Sequence, residues 1–136
     1  MTEHTLRVRF AETDRMGIVH HSRWAVWLEA ARVEWLRERG LSYRDLEDSG
    51  VSLAVSSLTL RYLAPARFDD EVAVQATLEE ARSRRFRFSY RVLLLPERKL
   101  LAEGTTVHIP VDENGRALRL PAAWRARLGN AGGSGH

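Results

Sequence analysis

The chain of 136 residues contains no cysteine. This absence excludes disulfide bonds, metal sites built from thiolates and a cysteine nucleophile. Also absent is any apolar stretch close to the length of about 20 residues that a membrane-spanning helix requires. The first residues, MTEHTLRVRF, lack the apolar segment of a signal peptide. A cytoplasmic location and no membrane partner are therefore expected.

Lysine is nearly absent: the chain has 21 lysines and arginines in total, and Lys99 is the only lysine. The formal net charge is +3. Arginines cluster at residues 82–91, but acidic residues are mixed with the basic ones elsewhere. A nucleic-acid-binding protein usually gathers its basic residues on one face of a recognisable module. Nucleic acid is therefore not expected as a partner.

The overall composition and length are typical of one globular domain. Apolar residues make up 44% of the chain and charged residues 29%, and this length supports a single core. We predict one domain over residues 1–128, without internal repeats. The glycine-rich end, residues 129–136 (GNAGGSGH), predicts a flexible C-terminal tail.

Alternation of apolar and polar residues predicts the strands. Leu6, Val8 and Phe10 alternate with arginines and predict a first strand with one buried face. Further strands are predicted at residues 52–62, 71–80, 84–94 and 100–109. The turn around Pro96 and the turn at residues 112–115 are short, and short connections favour an antiparallel sheet.

One long helix is predicted at residues 23–39, with Ser22 as its N-cap and Gly40 as its C-terminal stop. A short helical turn is predicted at residues 43–48. The long helix has two apolar sides. One consists of Trp24, Trp27, Leu28, Ala31 and Trp35, and the other of Val26, Ala30 and Val33. Such a helix is enclosed on both sides, by a curved sheet and by a partner subunit.

Charged residues lie between the two apolar sides of this helix, at Glu29, Arg32, Glu34 and Arg37. Their spacing favours ordinary ion pairing along the helix, with Glu29 and Arg32 as a pair.

The segment from Phe10 to Trp24 concentrates titratable groups next to the start of the long helix. It contains an acidic pair, Glu12 and Asp14, a glycine at Gly17, and the adjacent His20 and His21. A helix N-terminus favours negative charge, so this loop is the candidate site. Asp14 could instead serve only as the cap of a turn.

The pattern of this segment resembles the opening of the 4-hydroxybenzoyl-CoA thioesterase-like hotdog family, the small acyl-CoA thioesterases. The residues that match its signature are Phe10, Thr13, Asp14, Gly17, Ile18, Val19, His21 and Trp24. The likeness continues through residues 58–88. Tyrosine is common in the family where His20 stands here.

The resemblance implies an α+β hotdog fold, in which a five- to six-stranded antiparallel sheet wraps a long central helix. It implies hydrolysis of an acyl-CoA, with Asp14 as nucleophile or general base. The backbone N–H near His21 would stabilise the oxyanion at the helix N-terminus, and the His21 side chain could orient the acid or the water. Gly17 would provide a backbone shape that a side chain would obstruct.

The resemblance also implies where the coenzyme A moiety binds. Basic residues at the turn that carries Arg82, Arg84 and Arg85 meet the nucleotide phosphates in the family. No resident cofactor is expected, since coenzyme A is part of the substrate. Hotdog domains usually pair edge to edge, and a homo-oligomer, a dimer or a homotetramer, is expected here. The helix and the facing strand would line the acyl pocket, with Trp24, Trp27, Leu58 and Leu60 as candidates.

Two other functions remain open from the sequence. A hotdog hydroxyacyl dehydratase would pair His20 or His21 with a helix carboxylate, Glu29 or Glu34. A non-catalytic acyl-CoA-binding module would have the same fold without turnover. A metal site at Asp14, His20 and His21 is not expected, because adjacent histidines point in different directions in most backbones.

Overall fold

The computed structural model describes residues 1–133, with side chains up to Leu128. Its strands are β1 (Thr2–Arg7), β2 (Ser52–Tyr62), β3 (Glu71–Ala81), β4 (Phe86–Leu94) and β5 (Lys99–Val111). Its helices are α1 (Trp24–Glu38), α2 (Tyr43–Asp48) and α3 (Ala122–Gly133). The strands form one antiparallel sheet in the order β1-β3-β4-β5-β2. The expected hotdog arrangement is confirmed.

The core lies between α1 and the sheet. The predicted apolar stripe of α1, from Trp24 to Trp35, is buried, and it packs against inward-facing residues of β3 and β4 such as Val74 and Phe88. The second apolar side of α1 has a different environment. Val26 is 47% exposed, and Ala30 lies beside it in a surface groove. Within one chain, the helix is therefore enclosed on one side only.

The first strand is shorter than its alternation predicts. β1 ends at Arg7, and Val8 leaves the sheet to exchange backbone hydrogen bonds with the segment at Asp69 and Asp70. Phe10 lies in a 3₁₀ turn, Phe10–Glu12, and is 76% exposed with its ring edge-on to Phe68. The prediction that Phe10 shares the buried face was wrong, because the chain stops being extended before that residue.

Arg32 does not pair with Glu29. Its side chain is buried, and it donates from Nε to the Tyr43 hydroxyl at 2.9 Å and from a terminal nitrogen to the Tyr90 hydroxyl at 3.0 Å. Glu34 does pair along the helix, with Arg37 at 2.6 Å. The guanidinium of Arg32 therefore joins α1 to α2 and to β4 through hydroxyl groups rather than carboxylates.

The C-terminal helix α3 was not predicted. It runs past the proposed tail boundary at Gly129 as far as Gly133, and the remainder of the predicted flexible tail lies outside the described residues. Leu128, near the middle of α3, is buried in the core. None of the helices within the described part of the chain is long and apolar enough to cross a bilayer.

Strands β2 and β5 approach each other closely at Gly104. A Cβ at this position would lie 2.7 Å from the backbone oxygen of Thr59 and 3.0 Å from Cδ2 of Leu60. We expect Gly104→Ala to lower the free energy of unfolding by about 2 kcal/mol or more, because the two strands must separate. Chemical denaturation measures this loss.

Gly115→Ala is the matched control for this substitution. Gly115 has a φ of +78° but no atom within 4 Å of its would-be Cβ, so we expect a loss of about 1 kcal/mol from backbone strain alone. Equal losses in the two variants would contradict the close approach at Thr59.

Candidate active site

The loop between β1 and α1 lies against the loop between β2 and β3. Val19 N–H donates to the Ala66 carbonyl at 2.8 Å, and Ile18 forms a bridge with Arg67. Within its own loop, Thr13 forms an antiparallel bridge with Val19. These backbone contacts fold the candidate segment back on itself and fix it at the end of the sheet where β2 finishes.

A pocket of about 430 Å³ opens between these two loops. Polar groups at one part of its wall come from Asp14, His20 and His21. Apolar groups come from Trp24, Tyr62, Leu63 and Pro65, among others. A pocket that is mostly apolar, with a few polar groups together at one place, is typical of a small-molecule site.

Asp14 occupies the first position of a tight turn. Its backbone oxygen accepts from Gly17 N–H at 3.0 Å, and its Oδ1 accepts from Met16 N–H at 2.8 Å. Gly17 has a φ of +78° and open space around its would-be Cβ, so its role is to supply the left-handed backbone rather than to avoid a clash. Asp14 therefore does cap a turn, and it is also an exposed residue that lines the pocket.

The helix start differs from the prediction. α1 begins at Trp24 after a 3₁₀ turn, His21–Arg23, and the residue that caps this turn is His20, not Ser22. The His20 Nδ1 accepts from Ser22 N–H at 3.2 Å and lies 2.8 Å from the Ser22 hydroxyl. The imidazole of His20 also packs against that of His21, with the ring centres 4.1 Å apart and the ring planes tilted by 34°.

These contacts account for three backbone donors at the helix start and leave the N–H of His21 available. His20 N–H donates to the Glu12 carbonyl, Ser22 N–H to His20 Nδ1, and Arg23 N–H to the His20 carbonyl. The N–H of His21 has no hydrogen-bond acceptor among the described residues. It lies in a residue that lines the pocket, so it can donate to a bound oxygen.

Two residues of this region were not proposed from the sequence. Glu12, the other member of the acidic pair, is 3% exposed, and it accepts from the indole N–H of Trp27 at 2.8 Å. Tyr62 donates from its hydroxyl to the His21 carbonyl at 3.1 Å and packs edge-on to Trp24. Local spacing signals neither contact, because the partners are 15 residues apart in the first and 41 residues apart in the second.

The arginines proposed for coenzyme A lie elsewhere in the chain. Arg82, Arg84 and Arg85 form the turn between β3 and β4, whereas the pocket lies near the start of β3. The 11 residues of β3 span roughly 30 Å or more. Arg82 and Arg85 are in addition 3.1 and 3.8 Å from the carboxylate of Glu80. A single chain does not bring these arginines to Asp14.

The helix carboxylates needed for a dehydratase are also outside the pocket. Glu29 and Glu34 line the groove on the exposed side of α1 together with Val26. His20 and His21 lie in the other pocket. The chain therefore does not assemble the imidazole and carboxylate pair of that alternative. Of the proposed acyl-pocket residues, Trp24 lines the pocket, and Trp27, Leu58 and Leu60 do not.

No group of three or more His, Cys, Asp or Glu side chains with a geometry suited to a metal ion occurs in the part of the chain that the structure describes.

Comparison with known proteins identifies relatives over most of the chain. The sequence profile of the thioesterase-like superfamily matches residues 8–128. The acyl-CoA thioester hydrolase YbgC of Escherichia coli is 33% identical over 107 residues, which cover 79% of each chain. The crystal structure of a hypothetical protein from Thermus thermophilus is 44% identical, with a TM-score of 0.89 over 96% of this chain and 99% of that one. The DHNA-CoA thioesterase of Staphylococcus aureus is 26% identical, with a TM-score of 0.90 over 95% of this chain and 89% of that one.

Proposed function

Because the chain belongs to the thioesterase-like superfamily, we propose that this thioesterase hydrolyses an acyl-CoA to the free carboxylic acid and CoA. The proposal is carried by one observation: the carboxylate of Asp14 and the unused N–H of His21 belong to residues that line the same pocket. Relatives at 33% and 26% identity are named as an acyl-CoA thioester hydrolase and a DHNA-CoA thioesterase.

Asp14 carries the chemistry in this proposal, by one of two routes. As a nucleophile, its carboxylate attacks the thioester carbon and expels the CoA thiolate, which leaves a mixed anhydride that water then hydrolyses. As a general base, it takes a proton from the water that attacks the same carbon, and the tetrahedral intermediate then expels the CoA thiolate. In both routes the oxygen of the thioester carbonyl becomes negatively charged.

The helix N-terminus stabilises this negative charge. The N–H of His21 is the donor that the turn contacts leave unused, and the dipole of α1 adds a partial positive charge at the same end. The His21 side chain, packed against His20, would orient the acid or the attacking water. Gly17 provides the backbone shape that turns Asp14 toward the pocket.

We further propose that a second copy of the chain completes the site. Strand β2 is an edge of the sheet, and its side chains Val55 and Leu58 are 51% and 45% exposed. An exposed edge with apolar residues favours pairing with another strand. A neighbouring chain could then supply the turn with Arg82, Arg84 and Arg85 to the CoA phosphates, which the distance along β3 prevents within one chain. A homotetramer and a cytoplasmic location are the accompanying expectations.

Release of free thiol tests the activity directly. The purified chain is given short, medium and long aliphatic acyl-CoAs, together with benzoyl-CoA and phenylacetyl-CoA, and the thiol is measured continuously with a chromogenic disulfide. The chain contains no cysteine, so the protein itself adds no signal. We expect turnover of at least one class at values of kcat/KM of about 10⁴ M⁻¹s⁻¹ or higher. Binding of every acyl-CoA without thiol release would instead indicate an acyl-CoA-binding module.

A further inference from the structure

The side chain of Glu12 is a buried carboxylate next to the active-site turn. It is 3% exposed, and its two oxygens accept from different groups: Oε1 from the backbone N–H of Arg9 at 2.8 Å, and Oε2 from the indole N–H of Trp27 at 2.8 Å. A carboxylate loses much hydration free energy on burial, and hydrogen bonds must compensate for that loss. The position of Glu12 is therefore narrowly defined by these two donors.

The backbone of the same residue holds the start of the helix. The Glu12 carbonyl accepts from His20 N–H at 2.9 Å, and His20 in turn caps the 3₁₀ turn that contains His21. Asp14 follows Glu12 by only two residues. Glu12 thus connects the turn that carries the carboxylate to the segment that carries the free N–H, and it joins both to the buried helix face through Trp27.

We propose that Glu12 is a positioning residue for the hydrolysis, which holds Asp14 and the His21 N–H at a fixed separation by bonding to Trp27. It does not touch the substrate, since it is buried and does not line the pocket. The inference rests on the proposed function of Asp14 and His21. Small displacements of a catalytic group lower a rate steeply, so the loss should appear in kcat rather than in KM.

Two substitutions test this role. Glu12→Gln replaces one carboxylate oxygen with an NH₂ group that faces an N–H donor. Trp27→Phe removes the indole donor together with part of a buried ring that packs against Trp24, so a control of equal volume change is needed. We expect kcat to fall by about tenfold in Trp27→Phe and by more in Glu12→Gln, with KM within about twofold of the original. If Glu12→Gln does not fold, Trp27→Phe decides the question.

Trp35→Phe is the matched control. Trp35 lies on the same helix face, two turns later, and is equally buried, but its ring contacts the ring of Phe88 and the guanidinium of Arg39 and makes no hydrogen bond to Glu12. Its kcat should stay within about twofold of the original when the variant is folded at the assay temperature. Equal changes of kcat in Trp27→Phe and Trp35→Phe would overturn the positioning role and leave Glu12 with a role in stability alone.

Hydrogen–deuterium exchange separates this inference from the proposed function. Peptides that cover residues 10–22 should exchange faster in Trp27→Phe than in Trp35→Phe, whether or not the protein turns over any acyl-CoA. Absence of thiol release from the unmodified protein would refute the proposed function only. Unchanged exchange of this segment in Trp27→Phe would refute the positioning role only.

Discussion

Asp14→Asn is expected to lower kcat for thiol release by at least about a hundredfold, with the fold intact. The amide oxygen of Asn still accepts from Met16 N–H, so the turn that Asp14 caps is kept while the negative charge is lost. Neither an attack on the thioester carbon nor removal of a proton from water is possible for the amide at a comparable rate. Asp14→Ala should lose the same activity and also some stability of the turn.

Asp112→Asn is the matched control for this prediction. Asp112 caps a turn in the same manner, since its Oδ1 accepts from Asn114 N–H and Arg116 N–H at 2.9 Å each, but it lies after β5 and away from the pocket. Its activity should remain within about twofold of the original. Thiol release that survives in both Asp14 variants would remove Asp14 from the mechanism.

Isotope labelling then tests the nucleophilic route of Asp14, because only the appearance of label in its side chain is diagnostic. During turnover in water enriched in ¹⁸O, an anhydride at Asp14 that water attacks on the enzyme side leaves label in the side chain. Mass spectrometry of the peptide that contains Asp14 detects this label. A general base never forms a bond to the acyl group, so its carboxylate oxygens stay unlabelled.

The regular elements of this fold could be predicted from the sequence, because they depend on local periodicity. β2 has the predicted limits, Ser52–Tyr62, and β3 exceeds its predicted range by one residue. The helix α2 also has the predicted limits, and Gly40, with a φ of +71°, follows the end of α1 as expected. These features are fixed by alternation, helix propensity and a left-handed glycine, all of which are visible within a few residues.

One error arises where contacts distant in sequence decide the outcome, and another where neighbouring residues compete to cap the start of a helix. Arg32 was placed in an ion pair with its neighbour on the helix, but the hydroxyls of Tyr43 and Tyr90 bind it, and Tyr90 lies 58 residues away. His20 took the capping role predicted for Ser22, because the chain enters α1 through a 3₁₀ turn. The N–H of Ser22 itself donates to His20 Nδ1, and local spacing does not decide which of two neighbouring polar residues caps the turn.

In the candidate site, too, the features within one loop could be predicted from the sequence, and the distances between elements could not. The resemblance proposes Asp14, Gly17 and His21, and the structure places these residues at one turn and one helix start; their catalytic roles stay predictions. The sequence could not give the distance from that loop to Arg82, Arg84 and Arg85, because this distance depends on the length and direction of the strands. Whether these arginines act at the site is a question about a second chain, and their role stays a prediction.

Acidification should destabilise the protein through His108. This side chain is 1% exposed, its Nε2 lies 2.8 Å from the Thr106 hydroxyl, and its Nδ1 has no hydrogen-bond partner within the described part of the chain. Burial, together with the positive charge of Arg32, lowers the pKa of His108 to about 4. In the unfolded chain a histidine has a pKa of about 6.5.

The sign of the effect follows from these two pKa values. Between pH 6.5 and 4 the unfolded chain binds a proton at His108 that the folded chain does not, so the free energy of unfolding falls as the pH falls. Above pH 6.5, His108 makes its full contribution to the free energy of unfolding. By pH 4 about 3 kcal/mol of this free energy is lost, since one pKa unit is equivalent to about 1.4 kcal/mol.

Urea unfolding of the protein and of His108→Gln at pH 7.5 and pH 4.5 measures this contribution. Glutamine does not titrate, so the variant should lose about 2 to 3 kcal/mol less than the original protein between the two pH values, whatever its stability at pH 7.5. His4→Gln, on β1 and outside the network of Arg32, is the matched substitution of a second histidine. An identical loss in the original protein and in His108→Gln would mean that His108 is protonated in the folded state beside Arg32, and that the hydroxyls of Thr106 and Tyr90 stabilise two buried positive charges.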